Sequence, residues 1–530
     1  MQAAVISETS QLVDRLGVIL QPDRVITDPK QLTFFSTDMF THGELAEVVI
    51  KPGSTHALAS ALALCTQYGR AVVPRGGGFS YTSGYIPTQG KTVVVDLRDL
   101  NHIVEINAED LYVTVECGCT WEKLYSALKE KGLRTPFMGP ASGYWSTIGG
   151  NLSQGGFFYG STQFGTGADI VLGLEVVLAD GTILTTGSGG STHTTSPFLR
   201  YFGPDLTGLF LNDTGAMGFK TKATLKLMPI PQRLGFATFV FDNIDGGLAS
   251  LSMIARAGIA AEAYMWDPVI SKGFAARNSL SDDLKYLGSV ARSGSSLKDG
   301  LKGAMRMALA GKRIFNVNAF MLHVVVEDQS EAAVDAKLAR IRAITVGEGG
   351  GEVEPSAPRA TRALPFSNFV EKMAATSMNR NLPVHGLFPH SKALGAAKAL
   401  TAMLDAEKSL MDQHGVTYGT IYFAVGANAI SVEPLLFWKD QQLALHDRAK
   451  NQSDLEGLRA SPERPAATRA VSDIRKRMLD IVEQHGGCFF QIGKDNPYRD
   501  LRQPQVLALL DGIKALVDPG RNVNPGSLGF

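Results

Sequence analysis

Pro74-Arg-Gly-Gly-Gly-Phe-Ser-Tyr81 follows the apolar run Ala71-Val-Val, and the reading of the fold turns on this stretch. Three consecutive glycines let backbone N–H groups converge on an anion, and Ser80 adds a hydroxyl donor, which suits a pyrophosphate. Gly-x-Gly-x-x-Gly at a helix start is not matched, so the dinucleotide fingerprint is not met, and no complete P-loop pattern stands in its place. Taken alone, the stretch also reads as a plain turn.

Working outward, the segment before it reads as an α/β unit. A strand is expected at Val48 to Ile50, then the turn Lys51-Pro-Gly-Ser54, an alanine-rich helix to Tyr68 and a strand at Ala71 to Pro74. After the glycines, strands are expected at Thr92 to Leu97, Ile103 to Ile106 and Tyr112 to Glu116, and a helix over Trp121 to Gly132. In Pro140 to Gly167 more than half the residues are Gly, Ser, Thr or Ala and neither period is present. A loop that long inside a compact domain is normally functional. Strands return at Ile170 to Leu178 and Ile183 to Thr186, joined by the hairpin signal Ala179-Asp-Gly-Thr182, and another lies at Lys220 to Leu227.

A domain boundary is expected near Gln232. Residues 233 to 496 read as a second α+β unit, with strands at Phe236 to Phe241, Phe315 to Val326 and Thr420 to Val425. Surface loops are expected at Gly347 to Pro365 and Asn451 to Ala467. The tail runs from Ile513 through Asp518-Pro to Asn524-Pro-Gly526, a helix ended by proline and two turns.

The composition narrows the function classes. The 530 residues carry 51 basic and 51 acidic side chains, so the charged stripe that captures a phosphate backbone is missing and nucleic acid is an unlikely partner. With 44% hydrophobic residues the chain can bury two or three cores. Neither a targeting segment nor a run of about 18 to 20 apolar residues is seen, so no membrane span and a cytoplasmic location are expected. Cys65, Cys117, Cys119 and Cys488 read as reduced, mostly buried thiols.

Four motifs occur in a definite order: the glycine loop; Pro140-Ala-Ser-Gly-Tyr-Trp-Ser-Thr-Ile-Gly-Gly-Asn151; Gly203-Pro-Asp-Leu-Thr-Gly-Leu-Phe210 through Gly218-Phe219; and Asp518-Pro to Asn524-Pro-Gly526. Their order and spacing resemble the vanillyl-alcohol oxidase / p-cresol methylhydroxylase flavoproteins, the PCMH-type FAD-binding superfamily, over most of residues 45 to 230 and the last 35. The resemblance implies an α+β fold with FAD as cofactor. A PCMH-type FAD-binding domain of two α/β subdomains would comprise residues 1–232 plus 497–530, and an α+β cap, or substrate, domain residues 233–496. It implies that the pyrophosphate lies along Pro74, Arg75, Gly76, Gly77, Gly78, Phe79, Ser80 and Tyr81. Ribityl and ring contacts would come from Pro140, Ala141, Ser142, Thr147, Gly150, Asn151, Gly218 and Phe219, and the last motif adds Asn524.

Departures from the family pattern refine this. Berberine-bridge-type relatives tether the flavin through a histidine in the glycine loop and a cysteine in the second motif; here Phe79 and the absence of cysteine exclude double attachment. FAD is therefore expected to be non-covalent, with a cap-domain linkage through His385 or His390 left open. The D-lactate and glycolate dehydrogenase branch binds metal through a histidine-bearing strand. Phe423 and Ile430 stand where those histidines would be, and neither can ligate zinc, so no metal is expected.

Tyr498-Arg499 resembles the pair with which 4-alkylphenol-oxidising members hold a phenolate, a task suited to a guanidinium. The same arginine would bind a carboxylate equally well, or sit in a salt bridge at the domain seam. Ala141 replaces the aspartate of those oxidases, while Tyr144 and Trp145 could flank an aryl ring. His385, His390 and Lys494 are the candidate bases. The expected function is hydride transfer from a small aromatic alcohol or para-substituted phenol to FAD, with dioxygen or a redox carrier as acceptor and a homodimer as the working form. A non-metal 2-hydroxy-acid dehydrogenase is the alternative, and a non-catalytic flavin-binding protein a distant one.

Overall fold

The computed structural model describes residues 8–194, 196–276, 318–366, 380–445 and 462–530. Its first sheet is built from apolar runs: β1 (Val25–Ile26), β2 (Val48–Ile50), β3 (Ala71–Arg75) and β4 (Thr92–Asp96), in the order β1-β2-β4-β3. The last three are parallel and buried except at Pro74, as strands covered on both faces must be. The crossover helix α1 (Thr55–Gln67) starts at Ser54, whose hydroxyl accepts from the Ala57 N–H, and buries Leu58, Ala61, Leu62 and Cys65. Pro74 is tolerated because β3 is an edge strand. The C-terminal tail closes that edge: Val72 donates to the Asn522 carbonyl and accepts from the Asn524 N–H, each at 2.8 Å.

The second sheet is antiparallel, with β5 (Ile103–Asn107), β6 (Tyr112–Glu116), β7 (Val171–Val177), β8 (Ile183–Thr185) and β9 (Phe219–Lys226) in the order β8-β7-β9-β6-β5. Helix α2 (Trp121–Lys129) buries Trp121, Leu124 and Leu128. The stretch Pro140–Gly167 departs from the expected loop, because residues Ile148–Gln154 form helix α3. Two glycines disfavour a helix there by roughly 1 kcal/mol each. The Thr147 hydroxyl, accepting from the Gly150 N–H at 3.2 Å, and the burial of Ile148 and Leu152 override them.

A nine-stranded sheet organises the rest: β10 (Arg233–Phe241), β11 (Glu262–Trp266), β12 (Phe320–Asp328), β13 (Gly351–Val353), β14 (Arg380–Pro383), β15 (Gly386–Pro389), β16 (Thr417–Val425), β17 (Ala429–Trp438) and β18 (Cys488–Phe489). Its order is β13-β10-β12-β11-β16-β17-β15-β18, with β14 also paired to β17. One face, including Phe239, Met265, Leu322, Val324 and Val432, shares a core with the buried sides of α4 (Ile244–Ala257), α5 (Glu331–Gly347), α6 (His390–Ala406) and α7 (Pro465–Gln484). The cross-strand register Tyr264–His323, Tyr264–Phe423 and Phe423–Ser431, with Trp266–Ile421–Glu433 beside it, puts those side chains on the other face. Phe158 packs onto that face, 5.4 Å from Tyr264 and 5.5 Å from Phe423.

Gly347–Pro365 departs from the expected surface loop. Gly351–Val353 extends the sheet beside β10, and Ser356–Ala363 is helical. That helix carries Arg362, which pairs with Glu262 and, at 2.6 Å, with Glu327. Glu327 also pairs with Arg134, which comes from beside the second sheet, so two arginines and two glutamates are buried together between the sheets. Of the other expected loop, residues 451–461 lie outside the described residues, and Pro465 opens α7.

Candidate cofactor cradle and active site

Beyond β3 the chain passes so close to its neighbours that side chains do not fit. A Cβ on Gly76 would meet the Thr147 hydroxyl, one on Gly77 the Trp145 carbonyl oxygen, and one on Gly215 the Pro74 ring at 2.6 Å. Arg75 anchors the loop from beneath. Fully buried, it donates from Nη1 to the Phe35 and Thr37 carbonyls at 3.0 Å, and its guanidinium lies 4.8 Å from the Tyr85 ring centre. Its Nε and Nη2 have no hydrogen-bond partner among the described residues, and a Cβ on Gly78 would come within 2.9 Å of Nη2. A cation without a full partner set beneath a glycine loop favours an anion above it.

The walls are held by buried ionic groups. Asp38 accepts backbone N–H groups of Phe40, Thr41 and Ser83 at 2.7–2.8 Å, and burial pushes its carboxyl up to about 6. Asp213 pairs with Lys220 at 2.6 Å and accepts from the Gly215 and Met217 amides, fixing the turn before β9. Asn524 donates to the Gly84 and Thr214 carbonyls at 2.8 and 2.7 Å and so ties two walls together.

These walls enclose a groove of about 890 Å³, its open mouth included. Of the residues expected to hold the cofactor, Pro74, Arg75, residues 76–80, Pro140, Ser142, Thr147, Gly150, Asn151 and Gly218 line it. Tyr81, Ala141, Phe219 and Asn524 do not. Tyr81 accepts from Asn381 of the large sheet at 3.2 Å, Phe219 is buried in the core under the first sheet, and Asn524 serves as the strut just described. Cys117, Gln154, Thr214, Lys220 and Gln491 also line the groove, and sequence reasoning missed them. Gln154 ends the helix hidden in the presumed loop, while Thr214 and Gln491 have φ of 52° and 51°, which a sequence pattern does not announce. The buried Asn151 Oδ1 and Gln154 Oε1 lack hydrogen-bond partners among the described residues. Small residues, orphaned amide oxygens and an incompletely paired cation form a cradle that fits a long, polar-edged anionic cofactor.

The expected catalytic residues are dispersed. Trp145 lies nearly parallel to Phe79, ring centres 6.4 Å apart, and Tyr144 stands edge-on to it, 44% exposed. Arg499 is held bidentately by Asp511 at 3.0 and 2.8 Å, and Tyr498 packs under the Arg502 guanidinium; neither lines the groove. Lys494 donates to the Ile86 carbonyl at 2.7 Å, and burial pushes its amine down to about 7. His390 sits at the start of α6, with Nδ1 2.9 Å from the Ser252 hydroxyl and Nε2 2.9 Å from the Ala427 carbonyl.

His385 is placed differently. It lies between β14 and β15, buried, with Nε2 3.1 Å from Glu433 Oε1. Its ring meets Phe157 and Phe490 edge-on at 6.2 and 5.9 Å. Phe157 follows Gly156 and Phe490 precedes Gln491, and both Gly156 and Gln491 line the cradle. Phe157, Phe490 and Val425 form one buried cluster with Phe423 against it. An aromatic region of the large sheet thus adjoins the groove, and His385 with Glu433 is its ionisable pair.

Residues 46–187 match the family described as FAD binding domain. Glycolate oxidase subunit GlcD of Bacillus subtilis (strain 168) is 34% identical over 215 residues, 41% of this chain and 44% of that protein. The probable mitochondrial D-lactate dehydrogenase of Danio rerio is 33% identical over 214 residues, 40% and 41% of the two chains. The chain thus matches less than half the length of these curated relatives. Among solved structures, p-cresol methylhydroxylase with substrate bound aligns with a TM-score of 0.74 over 99% of this chain and 98% of that one, at 18% identity.

Fold and cradle define a flavoprotein whose cofactor is FAD. Residues 46–187 form the FAD binding domain by that match, and the fold of the chain as a whole is similar to that of p-cresol methylhydroxylase.

Proposed function

We propose that this protein is a FAD-dependent oxidoreductase that removes hydride from a CH–OH or benzylic C–H of a small aromatic substrate. In this reading residues 1–232 with 497–530 hold the cofactor and residues 233–496 cover the substrate. The observation that carries it is the aromatic cluster of Phe157, Phe423 and Phe490 beside the groove, with Phe158 and Tyr264 continuing it along the sheet. Such rings recognise an aryl group through its face and edge. When bound, FAD supplies the two-electron acceptor. The chain's own residues position the substrate, exclude water and take up a proton. The reading includes non-covalent FAD, dioxygen or a redox carrier as acceptor, and a cytoplasmic homodimer.

A second reading, oxidation of a 2-hydroxy acid without metal, is favoured by the glycolate oxidase and D-lactate dehydrogenase relatives. Phe423 belongs to the aromatic cluster and Ile430 is buried in the core, so neither position supplies a metal ligand. The test is anaerobic addition of a 4-alkylphenol, 4-hydroxybenzyl alcohol and D-lactate to the purified yellow protein. Bleaching by either aryl donor supports the first reading, and bleaching by D-lactate alone replaces it with the second. A protein reduced by dithionite but by none of the three would lose the oxidoreductase assignment.

A further inference from the structure

We propose that His385, held by Glu433, is the proton acceptor for the substrate hydroxyl, so that the preferred donor is an alcohol bearing a C–H on its carbinol carbon. This deepens the oxidoreductase reading and rests on it. Three side chains were candidates on residue type, and geometry separates them. Both nitrogens of His390 are engaged, by Ser252 and Ala427, at the helix-covered side of the sheet. Lys494 is turned into the Ile86 carbonyl. His385 alone of the three touches both Phe157 and Phe490, the side chains next in sequence to groove-lining residues.

The arrangement meets the chemical requirement. Turning R–CH(OH)–R′ into a ketone or aldehyde removes two electrons and two hydrogens. The C–H leaves with its electron pair to the bound flavin, the O–H proton must go to a base, and the C=O bond forms from the electrons left on oxygen. With Glu433 at Nε2, the other ring nitrogen is left to take that proton, and the carboxylate stabilises the imidazolium that results. A buried carboxylate–imidazole pair does this with little reorganisation, since Glu433 is fixed on β17 and His385 in the short link between β14 and β15. The imidazolium then returns its proton to solvent, and the cycle balances without a metal.

The groups facing this pair come from three directions. Glu433 projects from β17. Tyr81 faces it from beyond the glycine loop, bonded to Asn381, and burial pushes its phenol up to about 12, so it stays protonated at neutral pH. Asp38 and Arg380 lie behind Tyr81. Asp38, raised to about 6, is a second group able to shape an acidic limb. It holds loop amides, however, so its titration would loosen the cradle and release flavin.

The experiment is anaerobic rapid mixing of the holoenzyme with 4-hydroxybenzyl alcohol, followed by flavin absorbance across pH. His385→Gln is expected to slow flavin reduction about 100-fold and to abolish the rise of rate with pH, with flavin content and dithionite reduction unchanged. Added imidazole should restore part of the rate. Glu433→Gln should cost about tenfold in the reduction rate with KM little changed, Glu433→Asp should recover most of it, and His390→Gln should match wild type. In ring-labelled protein, NMR should show that Glu433→Gln moves the Nε2 resonance of the one histidine whose signals are lost in His385→Gln, because its hydrogen-bond partner has changed. Reduction of His385→Gln within threefold of wild type, or an acidic limb retained while flavin stays bound, would overturn the proposal. If no donor bleaches even the wild type, the oxidoreductase reading itself has failed. If only D-lactate does, the aryl assignment fails and the same variants test the base with that donor.

Discussion

Along the cradle the chain meets itself through backbone, whereas across the seam to the nine-stranded sheet it meets itself through large side chains. At Gly77 the space for a Cβ is already filled by the Trp145 carbonyl. At the seam, Phe157 and Phe158 press against Phe423, and Arg134 reaches Glu327. The first kind of contact leaves N–H groups and orphaned oxygens free to face a ligand. The second excludes water and stakes stability on complete ion pairing. A cofactor that must be gripped along its length needs the former, and a reaction that needs a dry, shaped chamber needs the latter.

The sharpest way to break this contrast is to put a side chain into the cradle. Gly77→Val should give a folded, colourless protein, because its Cβ must displace the Trp145 backbone rather than a flexible side chain. Absorbance near 450 nm and far-UV circular dichroism would check both halves of that expectation. Retention of stoichiometric FAD would mean that the groove is not where the cofactor lies.

On the seam, the corresponding change is Arg134→Met. It removes one cation from a cluster in which Glu327 and Glu262 are buried, and burial already holds the arginine's ionisation down at about 9. Deleting one member of a buried pair typically costs about 3–5 kcal/mol, expected here as a clear fall in Tm with FAD still bound. A Tm near wild type would show that Arg362 alone satisfies both glutamates.

The two regions also differ in how far the sequence reveals them. Gly76, Gly77 and Gly78 are contiguous, and three glycines in a row after an apolar strand have few meanings. The stretch holding Thr147, Gly150 and Asn151 stood out by composition and the family resemblance pointed to those residues, yet the composition hid helix α3, since its stability comes from a cap and from buried Ile148 and Leu152 rather than propensity. His385 stood out only as one histidine among several. Its pairing with Glu433 depends on how β14 and β15 register against β17, a non-local fact with no sequence period. Arg134, Glu262, Glu327 and Arg362 come from four separate segments, and nothing in any one of them signals the others.

A smaller effect tests Lys494, which lies behind the cradle rather than in it. Its folded-state pKa, about 7, is below the usual lysine value of 10.5. Between those limits the unfolded chain binds more protons than the folded one, so stability should rise with pH across that window. Lys494→Met should flatten the rise, by on the order of 1 kcal/mol between about pH 7 and 9 in urea unfolding. An unchanged slope would show that the amine is solvated in the folded protein.

The smallest effect is expected at Arg499, where family resemblance points to the substrate and geometry points elsewhere. Its guanidinium is taken by both oxygens of Asp511, packs over the Phe530 ring and is partly exposed. A cation so engaged has little to offer a phenolate or carboxylate unless Asp511 lets go, and surface pairs of this kind contribute little to stability. Arg499→Ala should therefore leave flavin content and Tm close to wild type and change kcat/KM by no more than a few fold. A collapse of kcat/KM with flavin retained would reverse this reading, return Arg499 to the role of substrate anchor, and move the proposed active site from the aromatic face of the nine-stranded sheet toward the C-terminal segment.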